Sequence, residues 1–137
     1  MKRITVAVCL DDEGGVMFNN RRQSRDRVLI NELMNNIGSR VHIHPYSSKL
    51  FQGYEGIVES ENPFESVLSG ECVFVEQLGI KAHLDKIDRL IIYRWNRLYP
   101  ADTYFDIDPE KEGFKLTSLT EFAGSSHEKI SKGIYAK

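Results

Sequence analysis

Short apolar segments alternate along the chain with segments of helical periodicity. Ile4–Leu10, Cys72–Val75 and residues 89–95 are rich in apolar and β-branched side chains, which predicts three buried strands. Shorter strands are predicted at 40–44 and 56–59. Two antiparallel strands, at about 115–122 and 129–136, are predicted to close the chain.

Helical segments separate these strands. Ser24 is predicted to cap a helix that runs to about Asn36 and ends at Gly38, with one apolar face formed by Val28, Leu29, Leu33 and Ile37. Shorter helices are predicted to begin at Ser47 or Ser48, at Asn62, and at Leu78. Strands that alternate with helices favour an α/β fold with a mostly parallel sheet, covered on both faces, and an antiparallel edge.

Length and composition are those of one ordinary globular domain, predicted to span residues 1–137. The chain is 41% hydrophobic and 28% charged, and its net charge is -2. This charge gives no global attraction to nucleic acid or to anionic lipid. No apolar run is long enough to cross a bilayer and no apolar signal region is visible, so we expect a cytoplasmic protein that does not bind membranes. Cys9 and Cys72 lie in apolar strand patterns and are expected to be reduced core residues.

Both ends of the chain carry the motifs of a known family. DRLIIY at 88–93 is followed by PADTYFDID at 100–108, a polar strand pattern and a last alternating run. Ile4–Leu10 is followed by DDEGGVMFNN at 11–20. This order resembles the dihydrofolate reductases. The resemblance implies a dihydrofolate-reductase-like α/β fold with a mostly parallel central sheet, flanking helices and a C-terminal antiparallel hairpin.

The resemblance does not extend to the residues that perform the family's chemistry. The carboxylate that the family carries on its first helix falls near Leu29 or Ile30, and Asp26 lies about one turn away. The family has a pair of glycines next to the cofactor pyrophosphate. Here Glu76 stands near that place, and its negative charge would repel the pyrophosphate. The nearest glycine, Gly79, lies further along the chain than the family's pair. The Gly-Arg-x-Thr segment is absent from a shortened middle. We therefore expect a divergent, shortened member of the family that does not bind NADPH and does not reduce folates.

Four arginines lie within seven residues at the predicted start of the first helix: Arg21, Arg22, Arg25 and Arg27. In the family's fold this junction lies at the mouth of the substrate cleft. Arginine binds phosphate and carboxylate groups in a planar, bidentate manner, and a helix N-terminus favours anions. The cluster therefore predicts a site for a nucleotide, a phosphorylated metabolite or an RNA backbone. The alternative is a solvated charged turn in which Asp26 pairs with a neighbouring arginine.

A second cluster follows the predicted strand at 89–95. Trp95 or Tyr93 can stack on a base there, and Arg94 or Arg97 can reach a phosphate. Strand alternation equally allows the aromatic side chains to pack and the arginines to face solvent. If both arginine clusters flank the carboxyl ends of the central strands, they form one site.

The histidines suggest two further kinds of site. His42 and His44 share one face of a predicted strand, but zinc needs a third ligand, and we expect no metal. Ser126 beside His127 is suggestive of a hydrolase. Neighbours in sequence need not form a productive hydrogen bond, and the segment is better interpreted as a tight hairpin connection in which Gly124 supplies the turn.

The sequence as a whole predicts a protein that binds an anionic ligand or a protein partner, with no clear indication that it is an enzyme. The predicted ligand-binding residues are Arg21, Arg22, Arg25, Asp26, Arg94, Trp95 and Arg97. One alternative is a divergent NADPH-dependent pterin or folate reductase, and another is a small enzyme that hydrolyses nucleotides or RNA. An exposed edge strand would allow a homodimer.

Overall fold

A computed structural model describes residues 3–137; the first two residues of the predicted domain lie outside the described residues. Within this range the chain forms ten strands and two α-helices. In chain order these are β1 (Ile4–Leu10), β2 (Gly15–Phe18), β3 (Arg21–Arg22), α1 (Arg27–Asn36), β4 (Val41–Ile43), β5 (Ile57–Glu59), α2 (Pro63–Ser66), β6 (Cys72–Val75), β7 (Ile87–Arg94), β8 (Thr103–Tyr104), β9 (Lys115–Phe122) and β10 (Ile130–Ala136).

A seven-stranded sheet with the order β5-β4-β6-β1-β7-β10-β9 forms the centre of the fold. The first five strands in this order are parallel, and β10 runs antiparallel to both of its neighbours. The predicted mostly parallel α/β sheet with a C-terminal antiparallel hairpin is confirmed. β1 lies between β6 and β7, which explains why its residues are almost continuously apolar.

Each face of the central sheet has its own apolar core. Successive strand residues point to opposite faces, so Val6 and Ile92 belong to one core, while Ala7 and Tyr93 belong to the other. The apolar side of α1, with Leu29, Ile30 and Leu33, covers the second of these faces. This packing brings the start of α1 next to the carboxyl ends of the central strands.

A second sheet of three short strands, in the order β3-β2-β8, was not predicted. Phe18 pairs with Arg21, and the two residues between them, Asn19 and Asn20, have φ angles of 50° and 59°. Two left-handed residues form the type of two-residue turn that suits a twisted hairpin, and asparagine tolerates this conformation well. Two of the four clustered arginines therefore belong to a strand.

The predicted cap of the first helix is wrong. Asp26, and not Ser24, precedes the helix, and its carboxylate accepts hydrogen bonds from the backbone N–H groups of Val28 and Leu29. Both residue types can cap a helix. Asp26 takes the position because its carboxylate also has partners elsewhere in the fold, described below.

The other predicted helices are short or of the 3-10 type. Pro45–Phe51 and Lys81–Lys86 form 3-10 helices. The α-helix Pro63–Ser66 has only four residues because Val67 already adopts extended backbone angles. Asn62 precedes that helix, but its side chain makes no capping hydrogen bond. None of the described helices combines the length and the apolar character needed to span a membrane.

The predicted tight connection of the terminal hairpin is also wrong. Phe122 pairs with Ile130, so residues 123–129 form a longer loop between β9 and β10. Gly124 is not among the described glycines with positive φ. A Cβ atom at Gly124 would overlap the carboxylate of Asp26. The glycine is therefore needed for a close approach between two segments and not for a turn.

The packing of α1 on the sheet leads to a stability prediction. Replacing Leu33, which is 1% exposed, by Ala should lower the free energy of unfolding by about 2–5 kcal/mol because it leaves a cavity under the helix. The same change at Leu98, which is 61% exposed, should cost less than about 0.5 kcal/mol. Urea denaturation of both variants measures the difference. Equal losses would contradict the assigned face of α1.

Candidate functional site

The start of α1 and the carboxyl ends of β1, β6 and β7 enclose a narrow cavity. Cys9, Val75 and Trp95 come from the strand ends, and Asp26 and Leu29 come from the helix. Ligands of open α/β sheets usually bind at such strand ends. The enclosed volume is only about 20 Å³, which is enough for a water molecule but not for a ring system.

The carboxylate of Asp26 is the centre of a buried hydrogen-bond network. Besides the two N–H groups of α1, it accepts hydrogen bonds from the backbone N–H groups of Ser125 and Ser126, at 2.9 and 2.8 Å. The Ser125 hydroxyl and Nδ1 of His127 also bind to it, the latter at 2.9 Å. Burial alone would raise the pKa of Asp26, but the hydrogen bonds from His127 and the backbone hold that pKa well below its ordinary range.

His127 connects this carboxylate to two hydroxyl groups. Its Nε2 atom lies 2.9 Å from Oγ of Ser24 and 2.9 Å from the hydroxyl oxygen of Tyr99. The ring of Trp95 stacks on the imidazole with a centroid distance of 4.5 Å. Because the ionised Asp26 requires a donor at Nδ1, the neutral imidazole presents Nε2 as an acceptor. We call Ser24, Asp26 and His127 the serine–histidine cluster.

The sequence neighbours Ser126 and His127, which suggested a hydrolase, both form hydrogen bonds with Asp26. Ser126 contributes its backbone N–H to Asp26, whereas the hydroxyl on the imidazole comes from Ser24. Ser24 and His127 are separated by 103 positions in the chain. Only the pairing of the strands brings them together, so no local pattern could have shown it.

Arg22 is already engaged in an ion pair. Its guanidinium donates to both carboxylate oxygens of Glu76, at 2.8 and 3.1 Å, and lies 4.8 Å from the ring centre of Tyr46. The hydroxyl of Ser47 also donates to Glu76, at 2.7 Å. The structure therefore gives Arg22 a partner inside the protein and neutralises the carboxylate that follows β6.

Arg25 and Arg27 line an open pocket on the outer side of the start of α1. The pocket has a volume of about 670 Å³, and Lys49 from the neighbouring 3-10 helix lines it as well. The three cationic side chains make no ion pair with any described residue. The other residues that line this pocket are Asp26, Ile30, Leu50, Gln52, Gly53, Tyr54, Ser125 and Ser126.

The other predicted arginines lie elsewhere. Arg21 is exposed and lines a different surface pocket of about 550 Å³, beside Tyr99. The guanidinium of Arg97 lies 5.8 Å from the ring centre of that same tyrosine. Arg94 belongs to the opposite face of β7 from Tyr93, which shares a core with Trp95, because neighbouring strand residues alternate. The described structure therefore does not gather the predicted arginines into one site.

The two aromatic side chains of the second cluster are packed inside the protein. Trp95 is 5% exposed and covered by His127, and the hydroxyl of the buried Tyr93 donates to Glu32. The packing alternative for these residues agrees with the structure. The suggested pairing of Asp26 with a neighbouring arginine is wrong, because His127 and backbone N–H groups occupy its carboxylate.

The imidazoles of His42 and His44 have different partners. His42 forms hydrogen bonds with Ser66 and Glu71, whereas His44 accepts one from the N–H group of Tyr46. Among residues 3–137, no three histidine, cysteine or carboxylate side chains come together as metal ligands would.

Comparison with solved structures identifies the architecture. The dihydrofolate reductase of Enterococcus faecalis, complexed with NADP(H) and RAB-propyl, superimposes with a TM-score of 0.67 over 97% of this chain and 95% of that chain. This chain has a dihydrofolate-reductase-like fold. The sequence identity is 10%, so the similarity shows the fold alone. No family model and no curated protein matches the sequence.

The depressed pKa of Asp26 predicts how stability depends on pH. Replacing Asp26 by Asn should lower the free energy of unfolding by about 3 kcal/mol at pH 7, because several buried donors lose a charged acceptor. A carboxyl group with a lowered folded pKa stabilises fully above its unfolded pKa of about 3.9 and loses this effect as the pH falls further. The difference between the two proteins should therefore shrink below about pH 4.

Urea denaturation at pH 7, 5 and 3 measures this difference. Replacing the exposed Asp12 by Asn removes the same charge outside the network and serves as the control. If the Asp12 variant lost as much stability as the Asp26 variant, the network would not be the cause.

Proposed function

We propose that this protein binds a small anionic molecule in the open pocket beside the start of α1. The observation that carries the proposal is the presence of three cationic side chains, Arg25, Arg27 and Lys49, around one pocket. The acidic lining residue, Asp26, is buried and has its charge compensated by other donors. An anion would therefore meet an uncompensated positive rim.

The size and chemistry of the pocket favour a ligand such as a mononucleotide or a phosphorylated metabolite. Its volume of about 670 Å³ lies within the range of small-molecule sites, roughly 300–1,000 Å³. The guanidinium groups can bind phosphate or carboxylate oxygens in pairs, and Tyr54 adds an aromatic ring. An RNA backbone would need a longer row of basic side chains. The net charge of -2 also gives the protein no overall attraction to RNA.

Two of the predicted ligand-binding residues, Arg25 and Asp26, line this pocket. Arg25 remains the central residue, while Arg27 and Lys49 take the place expected for Arg22. Arg22 is excluded from the proposed rim because Glu76 occupies its donors.

We also propose that the chain does not reduce folates with NADPH. The narrow cavity at the strand ends holds about 20 Å³, and a bound ring would have to displace side chains such as Trp95. A cofactor phosphate would need backbone N–H donors directly after β6. The carboxylate of Glu76 occupies this position and is paired with Arg22. Leu29 and Ile30, near the place of the expected acid, are buried apolar residues.

Calorimetric titration with inorganic pyrophosphate and with 5′-AMP tests the anion site. We expect binding by the wild-type protein, and at least a tenfold loss of affinity when Arg25 and Arg27 are both replaced by Ala, because each charge-assisted hydrogen bond contributes about 1.5–3 kcal/mol. Higher ionic strength should weaken binding, since the pocket is open to solvent.

A double replacement of Lys111 and Lys115 by Ala removes the same total charge from exposed positions outside the pocket and is the matched control. It should leave the affinity within about twofold, because distant exposed charges are screened by salt. Equal losses in both double variants, or no binding of either probe, would contradict the proposed site and favour a protein partner.

The absence of reductase activity is tested by following NADPH absorbance with dihydrofolate as substrate. We expect no consumption above the background rate, and no increase in the midpoint of thermal unfolding when NADPH is added. A ligand at a hundredfold its Kd would raise the stability by about 2.7 kcal/mol, which such a scan detects. Either turnover or this stabilisation would revive the reductase alternative.

A further inference from the structure

The serine–histidine cluster has the geometry of an activated nucleophile. Oγ of Ser24 lies 2.9 Å from Nε2 of His127, and Nδ1 of His127 lies 2.9 Å from Oδ2 of Asp26. Both distances lie within the reach expected for a nucleophile, its base and the group that orients the base. Ser24 is half-buried, whereas the other two residues are 5% and 3% exposed. Ser24 is therefore the most exposed residue of the cluster.

Two hydroxyl groups, from Ser24 and Tyr99, lie next to Nε2 of His127, although one donor is enough to satisfy this atom. His127 anchors the 123–129 loop through Nδ1, and the hydroxyl of Tyr99 alone can satisfy its Nε2 at 2.9 Å. The second hydroxyl at Nε2, from Ser24, is not needed to satisfy a buried acceptor. Tyr99 can instead donate to Oγ of Ser24, at 3.4 Å, which leaves the serine free to donate to the imidazole.

We infer that Ser24 is the nucleophile of an ester-hydrolysing site, with His127 as its general base and Asp26 as the residue that positions and polarises the imidazole. The stacked Trp95 fixes the plane of the ring. The backbone N–H of Arg25, which directly follows the nucleophile, has no hydrogen-bond partner among the described residues. It is thus available to an oxyanion.

The class of substrate follows from the neighbourhood of Ser24, and this step rests on the proposed function. Arg25 and Asp26 line both the narrow cavity that contains Ser24 and the open cationic pocket. A small carboxylic ester with a phosphate or carboxylate group could place that group against Arg25, Arg27 and Lys49. Its carbonyl group would then reach the half-buried Ser24 from the side of the open pocket and not through the narrow cavity, which holds only a water molecule.

The reaction balances without a cofactor. Oγ of Ser24 forms a bond to the carbonyl carbon as its proton moves to Nε2 of His127. The bond between that carbon and the alcohol oxygen then breaks, and the alcohol leaves with the proton from His127. A water molecule then loses a proton to Nε2 of His127 and attacks the carbonyl carbon of the acyl-serine. The bond between that carbon and Oγ breaks, His127 returns the proton to Oγ, and the carboxylic acid is released.

Covalent labelling tests the nucleophile without knowledge of the natural substrate. The folded wild-type protein is treated with diisopropyl fluorophosphate, and intact mass and peptide mapping locate the adduct. We expect one adduct, on Ser24, formed as the Oγ–P bond replaces the P–F bond and fluoride leaves. Ser24→Ala should give no adduct, and His127→Gln should slow labelling at least a hundredfold. Ser39→Ala, which changes a half-buried serine outside the site, should label like the wild type.

Circular dichroism confirms that each variant is folded before labelling. Failure of the folded wild type to label, or an equal adduct on Ser24→Ala, would overturn the assignment of the nucleophile. The probe is uncharged, so its reaction does not depend on the cationic pocket. Labelling without binding of pyrophosphate or 5′-AMP would overturn the anion site alone, and binding without labelling would overturn the esterase alone.

The substrate class is tested with 4-nitrophenyl acetate and mono-4-nitrophenyl glutarate. The glutarate ester carries the carboxylate that the cationic pocket should bind. We expect the ratio of kcat/KM for the anionic ester to that for the neutral ester to fall at least tenfold when Arg25 and Arg27 are replaced by Ala. An unchanged ratio would overturn the anionic substrate class.

Discussion

The buried carboxylate of Asp26 connects two parts of the chain that would otherwise be independent. It caps α1 through the N–H groups of Val28 and Leu29, and it binds the 123–129 loop through donors that include His127. Gly124 permits the loop to come this close, because any side chain there would overlap the carboxylate. The start of the helix and the entry to β10 are thereby held together.

This one connection determines the chemistry available at the strand ends. It positions the imidazole of His127 between Trp95 and two hydroxyl groups. It also removes Asp26 from the reach of the neighbouring arginines, so that Arg25 and Arg27 remain on the rim of an open pocket. On the other side of the cavity, the pair formed by Arg22 and Glu76 closes the space between the strand ends.

Segments that are buried on both sides were the easiest to predict from the sequence. Ile4–Leu10 and Cys72–Val75 are continuous apolar runs, and their predicted bounds match the structure. The three-stranded sheet was missed because its strands have only two to four residues. The pair Asn19–Asn20 was the available signal, since two such residues favour a hairpin turn.

The candidate site was predictable only in part. A cluster of arginines is visible in a single sequence, and one of its members, Arg25, lines the proposed anion pocket. The partners of Arg22 and Asp26 lie 54 and 101 positions away in the chain, so they depend on strand order and not on local pattern. For the same reason, the sequence pointed to a helix cap at Ser24, whereas this hydroxyl faces His127.

The interaction between Asp26 and His127 can be tested most directly by ¹⁵N nuclear magnetic resonance of the imidazole. For the neutral imidazole of His127, the described geometry predicts that the proton resides on Nδ1 and that Nε2 is unprotonated. Replacement of Asp26 by Asn should abolish this preference. A wild-type imidazole that carries its proton on Nε2, or that exchanges freely between both forms, would contradict the account.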